Sequence, residues 1–251
     1  MRLSVVIITF NEEKNIGRCI DSVKNVADEI IVVDSCSTDK TVEIANSKGA
    51  QVIMQPFLGY VEQKNMALEV ANNDFILSLD ADEALDKTLE ASILEAKKGF
   101  NFKGYSMNRC TNYCGKFIRH GSWYPDKKLR LIDKKNAYWG GDNPHDKLIM
   151  KDDGFIKHLK GDILHYSYNS IEEHVQQNNK FSSISAETYF KRGKKTNAFK
   201  MIIHPLWAFI LGYILRGGFL DGFYGFVVAL NVAHLSFLKH AKLYHKQKQQ
   251  A

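Results

Sequence analysis

Cysteines are few in this sequence, and their spacing argues against a structural zinc site. Only four occur, at positions 19, 36, 110 and 114, and none of them forms a CxxC pair. Structural zinc sites use closely paired ligands, so we do not expect one here. Nothing in the sequence indicates secretion, and we therefore expect reduced thiols in a cytosolic protein, with a pairing of Cys110 and Cys114 left open.

The sequence also lacks an apolar run as long as the roughly 20 residues that span a bilayer. The run Leu3–Ile8 is too short for a signal peptide with a cleavage site after it. Two C-terminal stretches, 201–215 and 222–238, contain no Asp, Glu, Lys or Arg. Both are shorter than a typical span, so spanning helices stay an alternative and are not the favoured interpretation.

Size and composition are those of a globular protein, with 45% hydrophobic and 25% charged residues. A length of 251 residues allows one large domain, or one domain with a substantial appendage. The net charge of +6 suits nucleic acid, anionic lipid or a phosphorylated substrate, and does not choose among them. No motif typical of nucleic-acid recognition is present, so we expect no nucleic-acid partner.

Strand and helix patterns alternate through the first eighty residues. Apolar, β-branched runs predict strands at 3–9, 29–33, 51–54 and 74–79. Helices are predicted between them: one capped by Asn11 and beginning at Glu12, one opened by 37–39, and one over 59–71. This order predicts an α/β fold with a Rossmann-like, mostly parallel sheet flanked by helices.

Polar residues follow three of these strands, in the segments 9–12, 34–39 and 80–83. Ligands of open α/β sheets bind at the carboxyl ends of the strands, so the three segments should converge on one edge. The last of them, Asp80-Ala81-Asp82-Glu83, follows the buried run 75–79. Closely spaced carboxylates at a strand end can hold a hard divalent cation together with substrate phosphates. An acidic, solvated loop is the alternative.

The pattern changes after about residue 104. Short strands are predicted at 105–108, 128–132 and 162–165, with a polar loop over 139–146. A helix over 170–192 is predicted with Ser170 as its cap and Glu173 in the capping-box position. Beyond it, Pro205 suits the first turn of a further helix, and 216–222 interrupts the helical pattern.

Three segments of the first half resemble the sequence blocks of family 2 glycosyltransferases. They are 5–12, 32–41 and 79–83, in the family's order and each at a strand end. The resemblance implies a GT-A fold, a nucleotide-sugar donor, a divalent cation (Mn²⁺ or Mg²⁺) and inversion at the anomeric carbon. It matches Thr9, Glu12 and Asp34 to nucleoside contacts and Asp80 and Asp82 to the metal motif. Within the same blocks, Asn11 and Ala81 are assigned to the donor site. Cys36 stands where the family commonly has glycine.

The second half resembles a narrower group, the lipopolysaccharide core glucosyltransferases of the WaaE/KdtX type. The resemblance is carried by 139–141 with His145-Asp146, by 165–168 and by 215–222. It implies transfer of glucose from UDP-glucose to a lipid-linked glycan such as the lipopolysaccharide core. The group usually has His-Glu where this chain has His145-Asp146, which shortens the carboxylate by one methylene.

Roles for the remaining polar residues follow from the chemistry of glycosyl transfer. A single displacement needs a carboxylate base for the acceptor hydroxyl, and we assign Asp146, with Asp142 in reserve. His165 is a candidate third metal ligand, or else a half-buried histidine with ordinary partners. Lys64 and Arg130 are candidates for contacts to the donor phosphates. The alternatives are a solvated surface position for Lys64, a structural salt bridge for Arg130 and a loop carboxylate for Asp146 or Asp142. For Asp34 the alternative is an N-cap or Asx-turn role.

The predicted organisation is a catalytic domain over 1–168 and a helical extension over 169–251. Residues 1–100 would bind the nucleotide sugar and 101–168 the acceptor. The apolar, aromatic C-terminal helices and a lysine-rich tail suit an anionic membrane surface, at the cytoplasmic face of the inner membrane. A helical hairpin packed on the catalytic domain, or on a second subunit in a homo-oligomer, is the alternative.

Two other functions remain open at this stage. A nucleotide-sugar or carbohydrate-binding module that has lost catalysis would keep the fold without the carboxylates Asp80, Asp82 and Asp146. A sugar nucleotidyltransferase would show a basic, glycine-rich loop after the first strand, whereas residues 9–13 here are acidic. No Arg-Trp pair occurs, and because processive family members carry one, we expect one sugar per encounter.

Overall fold

The computed structural model describes residues 1–141 and 146–249. Within these residues the strands are β1 Leu3–Thr9, β2 Glu29–Asp34, β3 Gln51–Met54, β4 Phe75–Asp80, β5 Glu83–Leu85, β6 Gly104–Tyr113, β7 Lys116–Phe117, β8 Asp126–Asp133, β9 Ala137–Gly140, β10 Lys147–Met150 and β11 Ile156–Tyr168. The helices are α1 Ile16–Val23, α2 Thr41–Ser47, α3 Tyr60–Glu69, α4 Lys87–Lys98, α5 Ile171–Lys191, α6 Ala198–Phe209 and α7 Gly222–Gln249. A π-helical segment, Ile210–Leu215, continues α6, and a 3-10 turn, Gly218–Asp221, precedes α7.

The main sheet has the strand order β3-β2-β1-β4-β8-β6-β11-β5, with β7 paired to β6. The first four strands of this order are parallel, and Thr9 of β1 pairs with Asp34 while Ile8 pairs with Asp80. The strand ends that carry the polar segments therefore lie side by side, as the sequence predicts. From β8 onward the pairing becomes antiparallel, so the α/β fold is confirmed with a mixed sheet whose parallel part is β1–β4.

The chain divides into two compact units, one of residues 1–109 with 126–166 and one of residues 110–125 with 167–251. The first unit has apolar clusters on both faces of its sheet. Alternate residues of β1 supply them: Val5 and Ile7 lie in the cluster that contains α1 and α4, and Val6 lies in the cluster that contains α3. A strand covered on both faces must be apolar at every position, which explains the unbroken run in β1.

Of three predictions about where helices begin, one is confirmed and two are wrong. Ser170 caps α5 and accepts a hydrogen bond from Glu173 N–H at 3.2 Å. Asn11 does not cap α1, which begins only at Ile16, because Asn11 adopts a left-handed conformation (φ 54°) and accepts instead from Thr38 N–H. Pro205 lies inside α6 and not in its first turn; the cap is Asn197, so the proline removes one interior hydrogen bond.

The second unit is helical and leaves much apolar surface exposed. Two of its segments, Ala198–Leu215 and Gly218–Gln249, are long and apolar enough to cross a membrane by length and composition alone. The turn between them is fixed by Asp221, whose carboxylate accepts hydrogen bonds from the backbone N–H groups of Arg119 and His120. All four cysteines are free thiols.

Candidate active site

A cavity of about 1160 Å³ opens in the first unit at the carboxyl ends of β1, β2 and β4. This volume is slightly above the usual range of about 300–1,000 Å³ for small-molecule sites. The residues predicted for the site that line it are Thr9, Glu12, Lys64, Asp80, Ala81, Asp82, Arg130, Asp146 and His165. Two predicted residues, Asn11 and Asp34, are absent from the lining residues that the structure describes. Asp142 lies outside the described residues.

Asp80, the last residue of β4, is held between two cations. Lys64, from α3, places its ammonium 3.0 Å from Asp80 and 2.8 Å from Asp146. Arg130, from β8, lies 3.4 Å from Asp80 and 2.9 Å from Glu83. Burial by itself would raise the pKa of Asp80, but the charges of Lys64 and Arg130 outweigh it and hold that pKa well below its usual value. The carboxylate is therefore ionised at neutral pH.

Asp82 and His165 form a second pair beside it. His165 Nε2 lies 3.1 Å from the Asp82 carboxylate, and His165 Nδ1 is a buried atom without a hydrogen-bond partner. Two carboxylates and an imidazole are a donor set that suits a divalent cation such as Mn²⁺. Among the described residues, however, no three such side chains are gathered closely enough to hold a metal. Asp80, the third predicted ligand, is instead paired with Lys64 and Arg130.

Glu12 and Thr9 lie at the end of the cavity next to β2. Burial raises the pKa of Glu12, and the nearby charge of Asp82 raises it further, while a hydrogen bond from Asn15 opposes both. Thr9 is buried, and its hydroxyl has no hydrogen-bond partner. A buried hydroxyl without a partner costs free energy unless something bonds to it, so Thr9 is available to a ligand.

Asp34 forms a turn in this structure. Its carboxylate accepts hydrogen bonds from Ser37, at 2.7 Å from the backbone N–H and 2.6 Å from the hydroxyl. These bonds reach three residues along the chain, so the Asp34 side chain has the local, structural role that was left open from the sequence, while Ser35 lines the cavity. Cys36 has a left-handed backbone (φ 66°), a conformation that glycine adopts more easily.

Two residues that contact the predicted site residues, Trp139 and Glu83, were given no role from the sequence. The Trp139 ring, from β9, has Lys64 Nζ at 4.4 Å and the Arg130 guanidinium carbon at 5.2 Å from its centroid. Glu83 accepts a hydrogen bond from Asp80 N–H at 3.0 Å in addition to its ion pair with Arg130. Both residues occur in segments singled out from the sequence, but their partners come from β4, β8 and α3 and cannot be found by spacing.

Four further cations line the cavity and were also missed: Arg109, Lys127, Lys128 and Lys147. They come from β6, β8 and β10, the antiparallel part of the fold. Each looks like an ordinary surface cation in the sequence. The pairing of β8 with β4, and of β6 with β8, brings Arg109, Lys127 and Lys128 toward the carboxyl end of β4, and Lys147 comes from the separate β9–β10 sheet.

The geometry is that of a polar pocket at a strand-end edge, with paired carboxylates and compensating cations. A family model described as "Glycosyl transferase family 2" matches residues 4–155. The chain belongs to this family. The sequence prediction of the family, and with it of a transferase, is thereby confirmed.

Relatives support the assignment over nearly the whole chain. An uncharacterized glycosyltransferase of Rickettsia prowazekii (strain Madrid E) is 38% identical, over 96% of this chain and 86% of its own length. The lipopolysaccharide core biosynthesis glycosyltransferase LpsC of Rhizobium meliloti (strain 1021) is 30% identical, over 97% of this chain and 92% of its own. Among solved structures, S. aureus TarS has a TM-score of 0.48 at 19% identity, covering 100% of this chain and 55% of that one.

Proposed function

We propose that this glycosyltransferase moves one sugar from a nucleoside diphosphate sugar, UDP-glucose in the first instance, to a hydroxyl of a lipid-linked glycan. The main support is that Asp80, Asp82 and Asp146 line the same cavity as Lys64 and Arg130. Carboxylates suit a metal and a base, and buried cations suit a diphosphate. The name of the relative LpsC supports a glycan of the lipopolysaccharide core as acceptor.

The donor lies along the ends of the parallel strands in this proposal. The nucleoside occupies the end formed by Thr9 and Glu12, with Asn11 and Asp34 shaping the turns beside it. Lys64 and Arg130 contact the diphosphate. Both cations are nearly inaccessible to water, at 6% and 4% side-chain exposure, so their attraction for phosphate is less screened than at the surface.

Asp80, Asp82 and His165 are the proposed ligands of the divalent cation, Mn²⁺ or Mg²⁺. Since the described side chains are not gathered closely enough to hold it as they stand, the proposal requires these three to come together around the metal. When bound, such a cation neutralises negative charge on the leaving nucleoside diphosphate. The position of Asp80 between Lys64 and Arg130 keeps it ionised, as a metal ligand must be.

Asp146 is the proposed base. The acceptor oxygen attacks the anomeric carbon as the bond to the diphosphate breaks, and the acceptor proton passes to the Asp146 carboxylate. One displacement inverts the anomeric centre through an oxocarbenium-like transition state. The Lys64 ammonium lies 2.8 Å from the Asp146 carboxylate. Asp142 remains the reserve candidate, and transfer is expected to be non-processive.

An anionic membrane surface is the proposed location of the second unit, at the cytoplasmic face of the inner membrane. Within the described range 198–209, no residue of α6 is buried. Lys194, Lys195 and Lys200 precede or begin this helix and Arg216 follows its π-helical extension. An apolar helix face flanked by cations suits the boundary between headgroups and acyl chains. A lipid-linked acceptor would be presented at the same surface.

The first experiment measures donor binding and donor hydrolysis across a panel of nucleotide sugars, with Mn²⁺, with Mg²⁺ and with EDTA. We expect one UDP-sugar to bind in a metal-dependent way. Asp82→Asn should lower turnover about 100-fold or more, the scale on which electrostatic groups act in transition states. Asp153→Asn is the matched control, because Asp153 is an exposed carboxylate outside the cavity lining.

Three outcomes discriminate the alternatives. A product with the anomeric configuration of the donor, read by proton NMR, would contradict a single displacement. Binding of a donor without turnover, at full folding and with any acceptor tried, would favour the inactive binding module. Release of pyrophosphate from UTP and a sugar 1-phosphate would identify a nucleotidyltransferase instead.

A further inference from the structure

The charge along the cavity changes from one end to the other. At the end next to β1 and β2 the lining side chains are uncharged except for Glu12. Beyond Asp80, on the side of β8, β6 and β10, the lining contains Arg109, Lys127, Lys128 and Lys147. The strand order places β8 and β6 on the far side of β4 from β1 and β2. Arg109, Lys127 and Lys128 therefore lie away from the proposed nucleoside end, while Lys147 belongs to the separate β9–β10 sheet.

Only part of this positive charge is compensated. Two of the cations are paired: the Asp126 carboxylate lies 3.0 Å from Arg109 and 3.0 Å from Lys128, and Glu83 lies 3.8 Å from Arg109. Lys127 and Lys147 are exposed and make no ion pair with the described residues 1–141 and 146–249. Cations without counter-charges at the wall of a cavity concentrate anions there, because the low dielectric of the protein focuses their field.

The donor does not account for these two lysines. Its diphosphate already has Lys64 and Arg130, which flank Asp80 within 3.4 Å. Lys127 lies on β8 three residues before Arg130, toward the strand's amino end, and its pairing partner on β6 is Asn108. Lys147 begins β10, directly after Asp146. Both positions lie on the side where a hydroxyl acceptor must approach the proposed base.

We propose that Lys127 and Lys147 bind a phosphate or carboxylate group of the acceptor, so that the enzyme selects anionic glycans. This inference rests on the proposed function, since it takes the donor to occupy the other end of the cavity. An ammonium group makes charge-assisted hydrogen bonds to either anion. Because both lysines are exposed, their attraction weakens with ionic strength, and so does acceptor affinity.

The test uses the full chain with saturating donor and Mg²⁺, and deacylated lipopolysaccharide core oligosaccharide as acceptor. The Lys127→Gln/Lys147→Gln double variant should raise the acceptor KM about tenfold, as loss of two exposed charge-assisted contacts would, and should leave the donor KM unchanged. Lys160→Gln is the control, because Lys160 is an exposed lysine of β11 outside the cavity lining. It removes the same charge and should change neither constant.

Two chemical treatments of the acceptor distinguish the sources of the anion. Dephosphorylation with hydrofluoric acid should abolish the difference between wild type and the double variant if a phosphate is bound. Reduction of the sugar carboxyl groups should abolish it if a carboxylate is bound. An acceptor that has lost both groups and still shows the wild-type KM would overturn the proposal.

A binding measurement makes the result independent of the acceptor chosen. With UDP and Mg²⁺ present in excess, inorganic phosphate followed by ³¹P NMR should bind wild type and the Lys160→Gln variant, and should bind the double variant about tenfold more weakly. Equal phosphate binding by the double variant, a shift in the donor KM, or an equal effect of Lys160→Gln would each contradict the assignment. Failure of wild type to bind any nucleotide sugar would instead remove the proposed function.

Discussion

The two units of this protein differ in whether their apolar side chains are buried or exposed. In the first unit the apolar residues of β1, from Leu3 to Ile7, are at most 1% exposed, because helices cover both faces of the sheet. In the second unit Phe199 and Ile202 of α6 are 68% and 67% exposed. Apolar side chains therefore form a core in one unit and an exposed surface in the other, and packing alone decides which of the two they form.

The two units also differ in where they place charged side chains. The first unit buries Arg130 and Glu83 and compensates them pairwise. The second unit keeps Asp, Glu, Lys and Arg out of 201–215 altogether. A buried charge must be paired, whereas an exposed apolar face needs a medium or a partner that covers it. The predictions below test each half of this comparison.

The largest effect is expected from Arg130→Met. The substitution keeps an apolar stem but removes the guanidinium group. It leaves Glu83, which has no exposed side-chain surface, with only the more distant Arg109, at 3.8 Å, among the described cations. Removing one partner of a buried ion pair should lower the free energy of unfolding by about 3–5 kcal/mol, measured by urea denaturation.

Two variants sharpen the result for Arg130. Arg109→Met removes a cation that is 24% exposed, 3.0 Å from the partly exposed Asp126 and 3.8 Å from Glu83. Because this cation is partly exposed and its contact with Glu83 is long, the free energy of unfolding should fall by less than about 1 kcal/mol. The double variant Arg130→Met/Glu83→Leu should recover most of the stability lost in the single one. If Arg130→Met and Arg109→Met lowered the free energy of unfolding equally, burial would not determine how much each ion pair contributes to stability.

A smaller effect is expected for the exposed face of α6. The double variant Ile202→Ser/Leu206→Ser should bind anionic liposomes at low salt at least about tenfold more weakly, since each apolar side chain that enters a bilayer contributes on the order of 1.5 kcal/mol or more. Co-sedimentation with phosphatidylglycerol vesicles measures it. Stability should hardly change, because both side chains are more than half exposed.

Phe155→Ser is the control for the liposome experiment. Phe155 belongs to the first unit and is 87% exposed, so it offers an apolar side chain on the surface outside α6. Its loss should leave liposome binding unchanged. A wild-type protein that ignored anionic liposomes at low salt would refute the membrane proposal.

The smallest effect is expected for Cys36→Gly, at the turn after β2. Cys36 has φ 66°, where a side chain is strained by about 1 kcal/mol or somewhat more. Glycine relieves the strain but also increases the freedom of the unfolded chain, so the net stabilisation should be only a few tenths of a kcal/mol. The urea midpoint measures it, and a marked destabilisation would show that the thiol packs in this turn.

Part of the candidate site could be predicted from the sequence because its residues follow parallel strands. Thr9, Asp80 and Asp82 each come directly after a buried run, and the order of strands and helices brings them to one edge. Trp139 and the lysines of the antiparallel side could not be predicted this way. Their strands reach the site through pairing with distant segments, and nothing in their local sequence specifies that register.

The sequence alone determined the family, the α/β fold class and the carboxylates that follow β4, since apolar periodicity and residue order are local properties of the chain. The tertiary structure decided that Asp80 is held between Lys64 and Arg130, that Asp34 closes a turn, and that no residue of α6, at 198–209, is buried. These features depend on which side chains meet across distant segments. Packing and the pairing of opposite charges determine which side chains meet, and spacing along the chain does not.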